Sequence, residues 1–113
     1  VLEESGVPFA VSALSNSISM VGLAGRDLTS LPLEAAFAVR GGASERKALA
    51  AITITPAQML GLGDRIGSLE VGKDADLLLL NGPPLDYRTY VETAFVNGRI
   101  VYQRDRDRVL PVF

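Results

Sequence analysis

Two aspartates, Asp74 and Asp76, lie two positions apart, directly ahead of four consecutive leucines. Paired carboxylates can bind a cation or share a proton, and positions two apart in a strand point to the same side. The alternative is architectural: Lys73 and Asp74 lie in a turn, and Asp76 accepts hydrogen bonds from local backbone amides where the strand begins. Because the chain has no histidine to complete a metal site, the architectural interpretation is favoured.

A second group of polar side chains follows a short apolar stretch, Val7–Val11, which reads as a buried strand. The group consists of Ser12, Ser15, Asn16 and Ser17. In α/β folds ligands bind just past the C-terminal ends of strands, so this loop is the part of the chain expected to face a substrate. A nucleophilic hydroxyl needs a base, and no histidine is present to act as one. We therefore assign neither a catalytic residue nor a metal ligand.

The charge balance argues against two classes of partner. The chain has 113 residues, with 11 basic and 13 acidic side chains and a net charge of -2. Nucleic acids and anionic membrane surfaces both bind clustered positive charge, and this sequence has no such cluster. The run Arg104–Arg108 alternates in sign and predicts a solvated strand end or turn. The uncharged stretch Ser5–Gly25 is interrupted by serines, glycines and a proline, so we expect no membrane span.

Helical patterns occupy much of the first half. Val1–Ser5 reads as the last turn of a helix that begins upstream, with Gly6 as its stop. Leu31–Arg40 is helical in pattern and is ended by two glycines, and Ser44 is suited to cap the next helix. A further helix is predicted from a capping box followed by a glycine-rich end; its three signals are Thr55 as N-cap, Pro56 at the first position and Gln58.

The second half has the pattern of a sheet. Leu77–Leu80 is a continuous apolar run, as expected for a strand buried on both faces. Thr93–Val96 and Arg99–Tyr102 flank Asn97-Gly98, which is the strongest short hairpin signal. The glycines between the halves follow a helix rather than a strand, so they do not indicate a dinucleotide site. We expect a helical part, residues 1–63, and a β part, residues 64–113.

The stretch ALAAITITPAQMLGLGDRIGSLEVGKDADLLLLNGPPL, followed by FVNGRIVY, resembles the C-terminal end of the metal-dependent amidohydrolase superfamily. The resemblance is to imidazolonepropionase-like and dihydroorotase-like members. It implies an α+β fragment: the last β/α unit of a (β/α)8 TIM-like barrel, followed by C-terminal strands of a small β-sandwich. Val7–Val11 would then be the last barrel strand. Asp74 and Asp76 would lie in a sandwich element remote from chemistry.

The same resemblance implies a parent protein that hydrolyses non-peptide C–N bonds, often in rings, with one or two zinc-like divalent ions that activate a water. The metal ligands would lie on earlier barrel strands, so this chain would hold no cofactor. One aspartate is expected after the last barrel strand, and the alignment places Leu14 near it. Either the loop is rearranged, or the parent is an amidohydrolase-shaped pseudo-enzyme with a binding or structural role.

The expected partners follow from this interpretation. We expect the chain to be a piece of a longer protein whose N-terminal part covers its apolar surfaces. An isolated piece is expected to associate with copies of itself. An independent α+β module with its own partner is a third possibility, against which the opening helix and the barrel-strand resemblance argue.

Overall fold

The computed structural model of the protein describes residues 3–12 and 30–107. Within them the chain forms three short helices, then three strands, then a single helical turn. The helices are α1 (Leu31–Arg40), α2 (Glu45–Ala50) and α3 (Ile54–Met59); the strands are β1 (Leu77–Leu80), β2 (Val91–Val96) and β3 (Arg99–Gln103); the last turn is α4 (Arg104–Asp107). The strands form one antiparallel sheet in the order β1-β2-β3. This is a small α+β arrangement.

Helix α1 ends as its sequence predicts. Gly42 takes a φ of 105°, a conformation that side chains disfavour. Its N–H donates to the Val39 carbonyl and the N–H of Ala43 donates to the Ala38 carbonyl, which together form a Schellman motif. Two unpaired carbonyls of the last turn are thereby satisfied, and the chain turns sharply towards α2.

The caps of the next two helices differ in outcome. Ser44 caps α2 as predicted, because its hydroxyl oxygen accepts a hydrogen bond from the Lys47 N–H at 3.3 Å. The prediction for α3 is wrong: the helix begins at Ile54 rather than after Thr55. Thr53 occupies the N-cap position but its hydroxyl donates to the Leu49 carbonyl at 2.8 Å. Only three residues separate the end of α2 at Ala50 from the start of α3 at Ile54. The start of α3 is therefore set by this short connection and not by the capping box.

The hairpin between β2 and β3 matches its sequence signal. Asn97 and Gly98 both have positive φ, 50° and 73°, as a type I′ turn requires. Phe95 pairs with Ile100 across the hairpin and with Leu77 on the other side, so these three side chains share one face of the sheet. The hairpin and its register are therefore encoded locally.

Burial of β1 departs from the prediction. The strand forms at Leu77–Leu80, but Leu78 and Leu79 remain 57% and 50% exposed. Among the described residues only alanines are buried apolar side chains, namely Ala35, Ala48, Ala51 and Ala57. No second layer of the described structure packs over the sheet, so a strand that reads as fully buried is half exposed.

The predicted strand Val7–Val11 is also not formed. These residues are irregular, and Val7 is 51% exposed. Within the described residues the segment is held to the helices by one backbone hydrogen bond, from the Val11 N–H to the Ala51 carbonyl at 2.9 Å. A parallel strand requires neighbouring strands to pair with, and the described strands pair only with one another.

Across residues 3–12 and 30–107, no helix combines the length and apolar character needed to cross a membrane.

Candidate functional site

The predicted substrate-facing loop is described only at its first residue. Ser12 is exposed and follows directly after the hydrogen bond that joins Val11 to the helices. Ser15, Asn16 and Ser17 lie outside the described residues, so the structure does not bring the four side chains together or separate them. The assignment of this loop to a substrate stays a prediction.

The segment that carries Ser12 has a second anchor to the helices. The carboxylate of Glu3 accepts from the Ser44 N–H and from the Ser44 hydroxyl, each at 2.8 Å. The backbone N–H of Ser44 first, and its hydroxyl second, lower the pKa of Glu3. Charge-assisted hydrogen bonds of this kind are stronger than neutral ones. The two anchors, at Ser44 and Ala51, fix the start and the end of the segment against α2.

Asp74 and Asp76 do not face each other across a site. Asp74 forms an ion pair with Arg65 at 2.8 Å, whereas the Asp76 carboxylate accepts from the Asn97 N–H at 2.8 Å. The architectural interpretation predicted local amides as partners of Asp76. Its partner is instead in the β2–β3 turn, 21 residues away along the chain.

Lys73 is the most enclosed charged group of this region. Its side chain is 12% exposed. Its ammonium donates to the Gly63 carbonyl and to the Ser68 hydroxyl, each at 2.6 Å, and lies 3.1 Å from a carboxylate oxygen of Glu70. These contacts hold together the loop from Gly63 to Lys73. Because its ammonium group has a structural role, Lys73 is a poor candidate for a general base or a Schiff-base lysine.

A polar cleft of about 310 Å³ lies between β2 and α4. Arg104 stacks over the ring of Tyr90, with its guanidinium carbon 3.4 Å from the ring centroid. Glu92, Thr93 and Asp105 complete the lining. The two acids outnumber the one arginine, so the cleft has no excess of positive charge to attract an anion.

The described residues do not form a metal centre. No group of three or more histidine, cysteine, aspartate or glutamate side chains within residues 3–12 and 30–107 is arranged to hold an ion. The whole sequence contains no histidine and no cysteine. The donor set of these segments therefore does not fit a divalent ion held by nitrogen or sulfur ligands.

Comparison with known proteins decides the family. A family model described as "Amidohydrolase family" matches residues 2–109. The chain belongs to the amidohydrolase family. The resemblance noted in the sequence is thereby confirmed.

Individual amidohydrolase relatives agree with this assignment. An imidazolonepropionase of Syntrophobacter fumaroxidans is 45% identical over 80 residues, which are 70% of this chain and 18% of that protein. An N-acetylglucosamine-6-phosphate deacetylase of Mus musculus is 39% identical over 64 residues, 57% of this chain and 14% of that protein. The chain thus spans less than a fifth of the length of either relative.

A solved structure supports the same fold relationship. The crystal structure of an amidohydrolase from Thermotoga maritima MSB8 matches with a TM-score of 0.75 and 39% sequence identity. The match covers 91% of this chain and 25% of that chain. The amidohydrolase chain described here therefore corresponds to about a quarter of that protein.

Two contacts of this amidohydrolase chain were missed by sequence reasoning. The link between Glu3 and Ser44 joins residues 41 apart, a distance at which no local pattern pairs an acid with a cap. The stack of Arg104 on Tyr90 involves two residue types suited to cation–π contact, but their 14-residue separation along the chain gives no local signal that they meet. Both contacts depend on how distant segments are brought together.

Proposed function

We propose that this chain is the C-terminal portion of a hydrolase that acts on C–N bonds other than peptide bonds, often in rings, and that the portion is not itself catalytically competent. The observation that carries the proposal is the match to a solved amidohydrolase, which extends over 91% of this chain but only 25% of the other. Imidazolonepropionases and N-acetylglucosamine-6-phosphate deacetylases among the relatives support this reaction class.

Within such a hydrolase, residues 1–63 would supply the end of a (β/α)8 barrel and residues 64–113 the C-terminal strands of a β-sandwich. Val7–Val11 would be the last barrel strand, paired on both sides with strands from the rest of the protein. Its anchors at Ser44 and Ala51 support this role, because they hold the segment in place on the side of the helices. Ser12 and the loop after it would then face the substrate.

The catalytic metal would be held elsewhere in the protein. Since the described residues form no metal centre and the chain contains no histidine, one or two zinc-like ions would be bound by other segments of the barrel. The role of this chain is to complete the fold around that centre. When bound, the metal would supply an activated water.

The first partner of the chain is accordingly the N-terminal part of the same protein. Large apolar side chains exposed on the sheet support this, among them Leu78, Leu79, Ile100 and Val101, each between 48% and 57% exposed. Covering a side chain that is half exposed contributes roughly 1 kcal/mol, so this set gains about 4 kcal/mol.

Without that partner, copies of the chain would cover one another. Sedimentation that finds a folded monomer at high concentration would contradict this association.

The function is tested with two proteins, the chain alone and the longer protein that contains it. Each is assayed for bound zinc and for hydrolysis of imidazolone propionate and N-acetylglucosamine 6-phosphate. The longer protein is expected to bind zinc and to hydrolyse a C–N bond, whereas the chain alone does neither. Turnover by the chain alone would refute its lack of competence.

A longer protein that binds no zinc, hydrolyses neither compound and lacks a His-x-His motif after its first strand would instead be a pseudo-enzyme. The sequence feature behind that alternative, Leu14 in place of an aspartate, lies outside the described residues, and none of the comparisons favours it.

A further inference from the structure

In the part of the chain that the structure describes, the helices and the sheet are joined by one segment rather than by a shared core. Helices α1 and α2 pack together, and the three strands pack together with α4, but no extensive contact joins α1–α3 to the sheet in the described residues. Among the residues that the structure describes, the buried apolar side chains are four alanines, all in or beside the helices. Within residues 3–12 and 30–107, the connection between the two parts lies in the residues between Met59 and Leu77.

The segment Gly63–Asp76, which we call the strap, is held against α3 at its N-terminal end. The Leu62 N–H donates to the Ala57 carbonyl at 2.7 Å and closes a Schellman motif after α3. The Lys73 ammonium then ties the strap back on itself through the Gly63 carbonyl at 2.6 Å. The backbone of Gly67 lies against the first turn of α3, so close that an added Cβ would be 2.8 Å from the Ile54 Cα.

The other end of the strap holds the turn between β2 and β3. The Asp76 carboxylate accepts from the Asn97 N–H at 2.8 Å, and the Ala75 carbonyl accepts from the Gly98 N–H at 2.9 Å. These two amides lie at the tip of a hairpin and point away from its ladder. Two adjacent residues of the strap thus satisfy both donors of the turn.

We propose that the strap is the conformational coupler between the helical part and the sheet, with Asp76 as its positioning residue at the hairpin and Lys73 as the residue that closes the strap on itself and so holds Gly67 against α3. The two side chains make separate contacts, one within the strap and one to the hairpin, so each can be removed separately. The sheet then keeps its place relative to the helices only while both ends are attached. This inference does not depend on the proposed hydrolase activity.

Hydrogen exchange of the full chain, followed residue by residue by NMR, tests the proposal. In Asp76→Ala the amides of Asn97 and Gly98 are expected to exchange roughly tenfold faster, while amides of α1–α3 keep their rates. In Lys73→Met the Asp74 amide is expected to exchange faster, and the hairpin tip keeps its rate. The double variant is expected to unfold in two separate transitions, because the strap is then neither closed at Gly63 nor attached to the hairpin.

Two controls separate attachment from loss of folding. Asp64→Ala removes a carboxylate of the same strap that is exposed and has no hydrogen bond in the described structure, so it is expected to leave every rate unchanged. Asp76→Asn retains an oxygen that can accept from Asn97 and is expected to restore most of the protection. Uniform acceleration of all amides in both Asp76→Ala and Lys73→Met, or unprotected Asn97 and Gly98 amides in the unaltered chain, would overturn the proposal.

Discussion

Replacing Gly67 with alanine is expected to destabilise the protein strongly, for two separable reasons. Gly67 has a φ of 93°, which an L side chain disfavours. An added Cβ would also lie 2.8 Å from the Ile54 Cα, 2.9 Å from the Ala57 Cβ and 3.1 Å from the Thr53 carbonyl oxygen. Two of these neighbours are backbone atoms, one in α3 and one in its N-cap residue, and the third is the methyl group of a buried alanine. None of them can move aside as a flexible side chain would.

The chain contains a matched control for the backbone term. Gly72 has nearly the same φ, 94°, and no atom lies within 4 Å of the position an added Cβ would take. Gly72→Ala is therefore expected to cost only the conformational term, roughly 1–2 kcal/mol. Gly67→Ala carries that term and an overpacking term of roughly 1–3 kcal/mol, for a total of about 2–5 kcal/mol.

Urea unfolding followed by far-UV circular dichroism measures both variants on one scale. The informative quantity is the difference between the free energies of unfolding of Gly67→Ala and Gly72→Ala, because the common φ term cancels. A difference below about 0.5 kcal/mol, the usual scatter of surface substitutions, would refute the close approach of the strap to α3.

Three further perturbations follow from the contacts described above. Ser44→Ala removes the cap of α2 and an anchor of Glu3, and is expected to lower the free energy of unfolding by roughly 0.5–2 kcal/mol in the same urea assay; an unchanged midpoint would contradict both contacts. Lys73→Met leaves a carbonyl and a hydroxyl without their ammonium donor and is expected to cost about 1–3 kcal/mol, and equal stability of the variant would show that the ammonium is hydrated instead. The Arg88 side chain, through its hydrogen bonds, lowers the pKa of Asp86 to about 2. The stabilisation from this pair is therefore present above the ordinary carboxyl range and is lost as the pH falls through about 2. In an NMR titration Arg88→Ala is expected to move the Asp86 midpoint up towards 3.8, although the backbone N–H of residue 88 still donates to the carboxylate, and a midpoint that stays near 2 would show that the Arg88 side chain is not the main cause.

Predictions from sequence succeeded where a short stretch contains its own signal. The glycine pair after Arg40, the cap at Ser44 and the turn at Asn97-Gly98 each formed as expected. In all three the geometry depends on positive φ or on a side chain three residues from its partner. Such preferences act within a few residues and need no distant contact.

Predictions failed where burial or pairing depended on other segments. The pattern of Val7–Val11 is that of a buried strand, yet the described residues offer it no strand to pair with. Leu77–Leu80 forms a strand but is not covered on both faces. For the candidate site, sequence singled out Ser12 and its loop, whereas the anchors that position Ser12 required the structure.

The sequence by itself determined the family, the order of helices before strands, and the hairpin, because motif spacing and turn chemistry are local properties of the chain. Only the tertiary structure decided what the aspartates do. Asp76 finds its partner 21 residues away in the hairpin turn, and Asp74 pairs with Arg65. The spacing of these two carboxylates is compatible either with a cation site or with structural hydrogen bonds. Which role they take depends on the donors that the fold brings within hydrogen-bond distance, and here these are a backbone amide and a guanidinium.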